Sequence, residues 1–112
     1  MGQAVRRGDI VTVSARGDYG KPRPALVVQS DLFNDAHPSV SLCLITSELH
    51  HTPLFRITIE PNASNGLRKI SQIQIDKVVT VATQRVGHAI GQLDDDTMIR
   101  VNRALAVWLG IA

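Results

Sequence analysis

The chain has a single cysteine, Cys43, so no internal disulfide can form and no paired-cysteine zinc spacing exists. Cys43 lies in the apolar run Val40-Ser41-Leu42-Cys43-Leu44-Ile45. A small buried thiol is expected there rather than a reactive one, which suits a reducing compartment. Aromatic residues make up only 4% of the sequence, which leaves Val, Ile, Leu and Ala to fill a core. No segment reaches the ~18–20 consecutive apolar residues of a membrane span, and Met1-Gly2-Gln3-Ala4-Val5-Arg6-Arg7 has no apolar signal core. The expectation is a cytoplasmic protein with no membrane partner. P-loop, G-x-S-x-G and G-x-G-x-x-G patterns are missing. His50 and His51 are adjacent and point apart on any strand, so they make no metal pair. No metal site and no cofactor are therefore expected. There is little net charge: +2 permits a nucleic-acid partner without requiring one. Repeats and low-complexity tracts are also lacking.

What is present reads as one domain over residues 1–112, long enough to bury a single core. Arg7-Gly8-Asp9 signals a turn, and Ile10–Val13 reads as a first strand. Ser14–Gly20, with two glycines and no periodicity, is a loop carrying the lone tyrosine, Tyr19. Ala25–Gln29, nearly all apolar, reads as a strand covered on both faces. A polar stretch follows, with a short helical turn capped by Ser30 or Asp31. Further strands are expected over Ser39–Ile45, Leu54–Glu60, Ser71–Asp76, Val78–Ala82 and about His88–Ile90, with a turn over Pro61–Gly66. From Asp94 the period changes. Met98, Val101, Leu105 and Trp108 share one helical face, and Asp94-Asp95-Asp96 suits a helix N-terminus better than a metal. Short strands at close intervals with one terminal helix predict a mostly β fold: a small, strongly bent sheet or barrel of five or more strands.

One segment is chemically pointed. In Lys21-Pro22-Arg23-Pro24 each proline fixes its own φ and biases the residue before it towards extended backbone. Arg23 is thus held in a narrow range of directions at the mouth of a buried strand. Other polar residues stand at strand ends: Thr46, Ser47, Glu48, His50, His51, Arg68, Gln74 and Asp76. Cations and hydroxyls gathered in one cleft would bind a phosphodiester and stabilise its transition-state charge. RNA brings its own nucleophile, the 2′-hydroxyl, so such a site needs only positioning, acid–base groups and charge stabilisation. Solvated strand ends are the plainer reading of the same pattern, and the pattern alone leaves both open.

Arg7-Gly8-Asp9-Ile10-Val11, Lys21-Pro22-Arg23-Pro24-Ala25-Leu26-Val27-Val28-Gln29 and Leu44-Ile45-Thr46-Ser47 resemble the MazF/PemK (Kid) toxins of type II toxin–antitoxin modules. Gly66-Leu67-Arg68-Lys69, Ile75-Asp76-Lys77-Val78-Val79, Gln84-Arg85-Val86-Gly87 and Ile90–Asp96 match in the same order. The resemblance implies an SH3-like barrel with a C-terminal helix, working as a homodimer. It implies a metal-independent endoribonuclease that cuts single-stranded RNA, leaving a 2′,3′-cyclic phosphate or 3′-phosphate and a 5′-hydroxyl, and that a cognate antitoxin neutralises. By the same resemblance Arg23, Thr46 and Asp76 are catalytic and Ser47 assists; Lys21, Tyr19, Gln74 and Arg68, polar or aromatic residues of the first loop and the strand ends, are taken as substrate-binding candidates. Gln74 stands where Kid-like members carry an arginine, which leaves Asp76 without its usual partner. A second reading comes from CcdB, a gyrase poison of the same fold that acts through its C-terminal residues. The ending Trp108-Leu109-Gly110-Ile111 loosely echoes it.

Overall fold

The computed structural model describes residues 5–14 and 21–111. Among these residues six strands alternate with short connections: β1 (Asp9–Val13), β2 (Arg23–Val27), β3 (Ser39–Thr46), β4 (Arg56–Ile59), β5 (Ser71–Ala82) and β6 (Val86–Gln92). A one-turn helix, α1 (Asp31–Asn34), follows β2, a 3₁₀ turn (Thr83–Arg85) joins β5 to β6, and α2 (Asp95–Trp108) comes last. The strands form one antiparallel sheet in the order β4-β5-β3-β2-β1-β6. The sheet curls on itself: Gln92 N–H, at the end of β6, donates to Ser64 O in the turn that follows β4. The expected mostly β architecture with a C-terminal helix is what forms.

Alternation on each strand sends side chains to two apolar clusters, one on either face. Ile10, Leu26, Cys43, Ile45, Ile57, Ile59, Ile73, Ile75 and Leu93 meet Val101 of α2 on the first face. Val11, Val13, Ala25, Val27, Val40, Leu42 and Val81 fill the second. Aliphatic residues carry both, as the shortage of aromatics requires.

Of the differences from the boundaries read in the sequence, three reshape the sheet. β2 runs over Arg23–Val27 rather than Ala25–Gln29, because Pro24 is accommodated opposite Thr12 of β1. The strand read over Leu54–Glu60 shortens to β4, with Phe55 left in a turn. The two strands read over Ser71–Asp76 and Val78–Ala82 are one strand, β5. Its pairing shifts from Cys43↔Val78 to Ile45↔Ile73, so Leu44 alone faces the stretch from Gln74 to Lys77. This wide bulge carries β5 from one face to the other: Ile73 and Ile75 pack in the first cluster, Val81 in the second.

α2 begins as expected. Asp94 is its N-cap, accepting Thr97 N–H at 2.9 Å and the Thr97 hydroxyl at 2.7 Å. These bonds hold the Asp94 carboxyl below its ordinary range, the side-chain bond first and the backbone bond next. Val101 is fully buried, and Met98 and Leu105 pack beside it. Trp108 stays half exposed but packs against Phe55, the rings tilted by 42° with centroids 5.8 Å apart. The helix stops in a glycine turn: Ile111 N–H reaches Ala106 O, Gly110 N–H reaches Val107 O, and Gly110 has φ +74°.

Candidate active site

The prolines open the site. β2 pairs with β3 only through Ala25, Leu26 and Val27, while β3 itself continues to Thr46. Pro24 has no N–H to give a neighbour, so the β2–β3 ladder has no rung to make there. β2 stays attached to β1 through Thr12↔Pro24 and Val13↔Arg23. Carrying the Ala25↔Leu44 register two residues further sets Arg23 opposite Thr46, on the same face of two parting strands. Between them lies a cleft of about 540 Å³ that both residues line, together with Ser47.

The opposite wall is Gly66–Lys69, with Ser71 and Ile90. It is fixed by a buried asparagine. Asn65 Oδ1 accepts the N–H groups of Asn62 and Leu67, and its Nδ2 donates to Glu60 O. Gly66, at φ +70°, lies so close to β6 that a Cβ there would fall 2.1 Å from Ile90 O. Only glycine fits both the left-handed backbone and the contact.

Arg23, Arg68 and Lys69 line this cleft, and no carboxylate does among the described residues. The site therefore favours an anion. Thr46 Oγ1 accepts Glu48 N–H at 3.1 Å. That bond uses a lone pair and leaves the hydroxyl proton to be donated to a bound oxyanion. Ile45, Leu67, Ile90 and the prolines add apolar surface between the charged groups. An arginine, a hydroxyl donor and two further cations on a partly apolar floor can hold a phosphodiester and stabilise charge developing on its oxygens.

Of the remaining residues expected at the site, those that are described do not line this cleft. Lys21 is exposed and lies outside the lining, and Tyr19 falls outside the described residues. Gln74 and Asp76 also lie outside the lining. Asp76 is engaged by a residue the sequence reading did not single out: Arg56 Nε and Nη2 donate to its two oxygens at 3.0 and 3.3 Å. Arg56 is the cross-strand partner of Gln74. An arginine from β4 thus engages the Asp76 carboxylate from the position opposite Gln74. The clue in the sequence was a cationic residue and an anionic one on consecutive alternating strands. His50 Nε2 lies 3.6 Å from Glu48 Oε1, and His51 is exposed. Cys43 is buried, and loss of hydration pushes its thiol pKa up to about 12. Among the described residues no three His, Cys, Asp or Glu side chains gather as metal ligands.

Known proteins share this sequence and shape. The sequence profile of the family described as "PemK-like, MazF-like toxin of type II toxin-antitoxin system" matches residues 6–109. A Mycolicibacterium smegmatis protein named probable endoribonuclease MazF is 49% identical over 109 residues, covering 96% of this chain and 99% of that protein. Endoribonuclease EndoA of Bacillus subtilis is 30% identical over 112 residues, with 96% of each chain covered. Among solved structures, a mycobacterial endoribonuclease in complex with its cognate antitoxin superposes with a TM-score of 0.81 at 23% identity, covering 97% of this chain and 98% of that one. A MazE–MazF structure from Deinococcus radiodurans gives 0.78 at 21% identity, covering 98% and 99%. At those identities the structural likenesses speak for the fold.

Proposed function

This chain belongs to the PemK-like, MazF-like toxin family of type II toxin–antitoxin systems, and from that premise we propose that it is an endoribonuclease whose work is done in the Arg23–Thr46 cleft. The substrate is single-stranded RNA. Its 2′-hydroxyl gives up its proton to water and attacks the adjacent phosphorus, the P–O5′ bond breaks, and the 5′-oxygen takes a proton from water, giving a 2′,3′-cyclic phosphate and a 5′-hydroxyl end. Arg23 binds the non-bridging oxygens and stabilises the charge that grows on them. Thr46 donates its hydroxyl proton to the same group, with Ser47 beside it. Arg68 and Lys69 hold neighbouring phosphates from the far wall. The single observation that carries this reading is the register that brings Arg23 and Thr46 together across a cleft whose described lining has cations and no carboxylate.

Asp76 is assigned to holding Arg56, and Gln74 lies beside that pair. Lys21 and Tyr19, which precede Arg23 in the sequence, are assigned to binding the RNA strand. The whole chain serves as one toxin domain. A homodimer in the cytoplasm, neutralised by a cognate antitoxin that covers the cationic cleft, completes the proposal; relatives of this shape have been solved with their antitoxins.

The gyrase-poison reading is not favoured. Two relatives, at 49% and 30% identity, are named endoribonucleases. Trp108 is occupied by Phe55, and Leu109, Gly110 and Ile111 form the helix stop.

The test is to incubate purified protein with single-stranded RNA in EDTA and to sequence the new ends. Cleavage leaving cyclic phosphate and 5′-hydroxyl ends supports the reading. Intact RNA, or cutting that begins only when a divalent ion is restored, sinks it.

A further inference from the structure

The segment that leaves β3 carries two residues of the cleft, Thr46 and Ser47, before the chain turns away as a loop. Such a segment has no ladder partner after Thr46, yet the cleft needs its hydroxyls held still. One buried side chain does this. Gln72 of β5 is the cross-strand partner of Thr46 and is 4% exposed. Its Oε1 accepts the N–H of His50 at 3.0 Å, and its Nε2 donates to the C=O of His50 at 2.8 Å. The second Nε2 hydrogen goes to Thr58 Oγ1 at 3.1 Å, on the neighbouring strand β4. Both donors of the amide are used, and the His50 bonds, one from an N–H and one to a C=O, fix which end of the amide is nitrogen.

The side-chain amide thus makes with His50 the pair of exchanged hydrogen bonds that a further strand residue would have made. Both ends of the segment terminate on the same residue: Thr46 through the β3–β5 ladder, His50 through the Gln72 side chain. Inside it, Thr46 Oγ1 closes a small turn onto Glu48 N–H. The result is a closed, five-residue limb pinned at one point of the sheet. A buried glutamine is a costly choice for a strand interior unless its polar atoms are satisfied, and here their partners are the limb and the strand beside it.

We infer that Gln72 is a positioning residue for the reaction, setting the Thr46 hydroxyl against the scissile phosphate by clamping the Thr46–His50 limb. The inference rests on the assignment of the cleft as the RNA-cleaving site. It asks nothing of the imidazole of His50, because Gln72 holds only that residue's backbone.

The experiment measures cleavage of a single-stranded RNA by full-length wild type, Gln72→Leu, Thr46→Ala, the double variant and His50→Ala, well below the melting temperature of each. Wild type must cut; if it does not, the assignment of the cleft fails before Gln72 is at issue. Gln72→Leu, which deletes all three bonds at similar volume, is expected to lower kcat ~10–100-fold, as small misplacements of reacting groups do, with KM changed by less than about threefold. The double variant is expected to be no slower than Thr46→Ala alone, since Gln72 acts through Thr46. His50→Ala is expected to match wild type. Should Gln72→Leu fail to fold, Gln72→Glu decides: it keeps the acceptor for His50 N–H but sets a carboxylate oxygen against the His50 C=O where the donor was, so the clamp opens and kcat should again fall ~10–100-fold. Wild-type kcat in the folded Gln72 variant, losses that multiply with Thr46→Ala, or an equal loss in His50→Ala would each overturn the inference.

Discussion

Deleting the Asp76 carboxylate probes its ion pair with Arg56. The side chains of Arg56 and Asp76 are 13% and 15% exposed and meet at 3.0 Å. Removing one partner of a fully buried pair costs ~3–5 kcal/mol, because the other charge is left desolvated. Each group here keeps about a seventh of its surface in water, which screens the orphan. The discounted cost of Asp76→Ala is ~2–3 kcal/mol. In a domain of this size that corresponds to a Tm lower by ~10–15 °C. Replacing both groups by apolar ones, Arg56→Met with Asp76→Leu, removes the orphan and should restore at least half of the loss. Urea unfolding of wild type, the two single variants and the double variant gives the coupling energy, expected near ~2 kcal/mol. Cleavage by Asp76→Asn, which keeps shape and loses charge, should follow the wild-type pH profile if the proposed role of Asp76, holding Arg56, is its whole role. A coupling within ~0.5 kcal/mol of zero would refute the pairing. A limb of the kcat/KM profile lost in Asp76→Asn would refute the assignment of Asp76.

Further outcomes follow from burial, capping and backbone geometry. Cys43, with its thiol raised to about 12, should resist alkylation at pH 8 in the folded protein and react only as fast as the chain unfolds. The raised value also sets a sign: above ~pH 9 the unfolded chain ionises its thiol while the fold does not, so stability falls with rising pH, a slope that Cys43→Ala should abolish in unfolding titrations. Asp94, whose carboxyl is lowered, contributes in the opposite sense. Its cap is present above the ordinary carboxylate range and lost as pH falls through the folded value, so Asp94→Ala should cost ~1 kcal/mol at neutral pH and nearly nothing near pH 2. Gly66→Ala should destabilise by more than ~2 kcal/mol, because positive φ and the Ile90 contact oppose it together, whereas Gly110→Ala, with nothing within 4 Å, should cost only ~1 kcal/mol. Thermal melts of the two compare strain with and without a clash.

The residues made some of this readable and hid the rest for physical reasons. α2 was legible because its apolar spacing and its cap agree, and both hold in the structure. Arg23 and Thr46 were legible as strand-end residues, since the prolines mark one end and the polar break after Ile45 the other. Their meeting needed the β2–β3 register, which no local pattern fixes. β5 looked like two strands because Lys77 interrupts its apolar alternation, and the bulge that reverses its faces leaves the odd-numbered phase unchanged along the chain. Gln72 sits in the polar phase of an alternating strand, a pattern that by itself marks no buried residue. It is buried by a loop whose path depends on Gln72 itself. The Arg56–Asp76 pair likewise depends on which strands are neighbours.

The central claim is that the Arg23–Thr46 cleft cuts RNA, and substitution of Arg23 tests it most directly. In EDTA, with folding verified by circular dichroism, Arg23→Ala should lower the rate of single-stranded RNA cleavage ~10²–10³-fold, the loss typical of removing one preorganised donor to a developing oxyanion. Arg23→Lys, which keeps charge and loses the planar fork, should recover only part of it. Cleavage by folded Arg23→Ala at the wild-type rate and with the same ends would contradict the account.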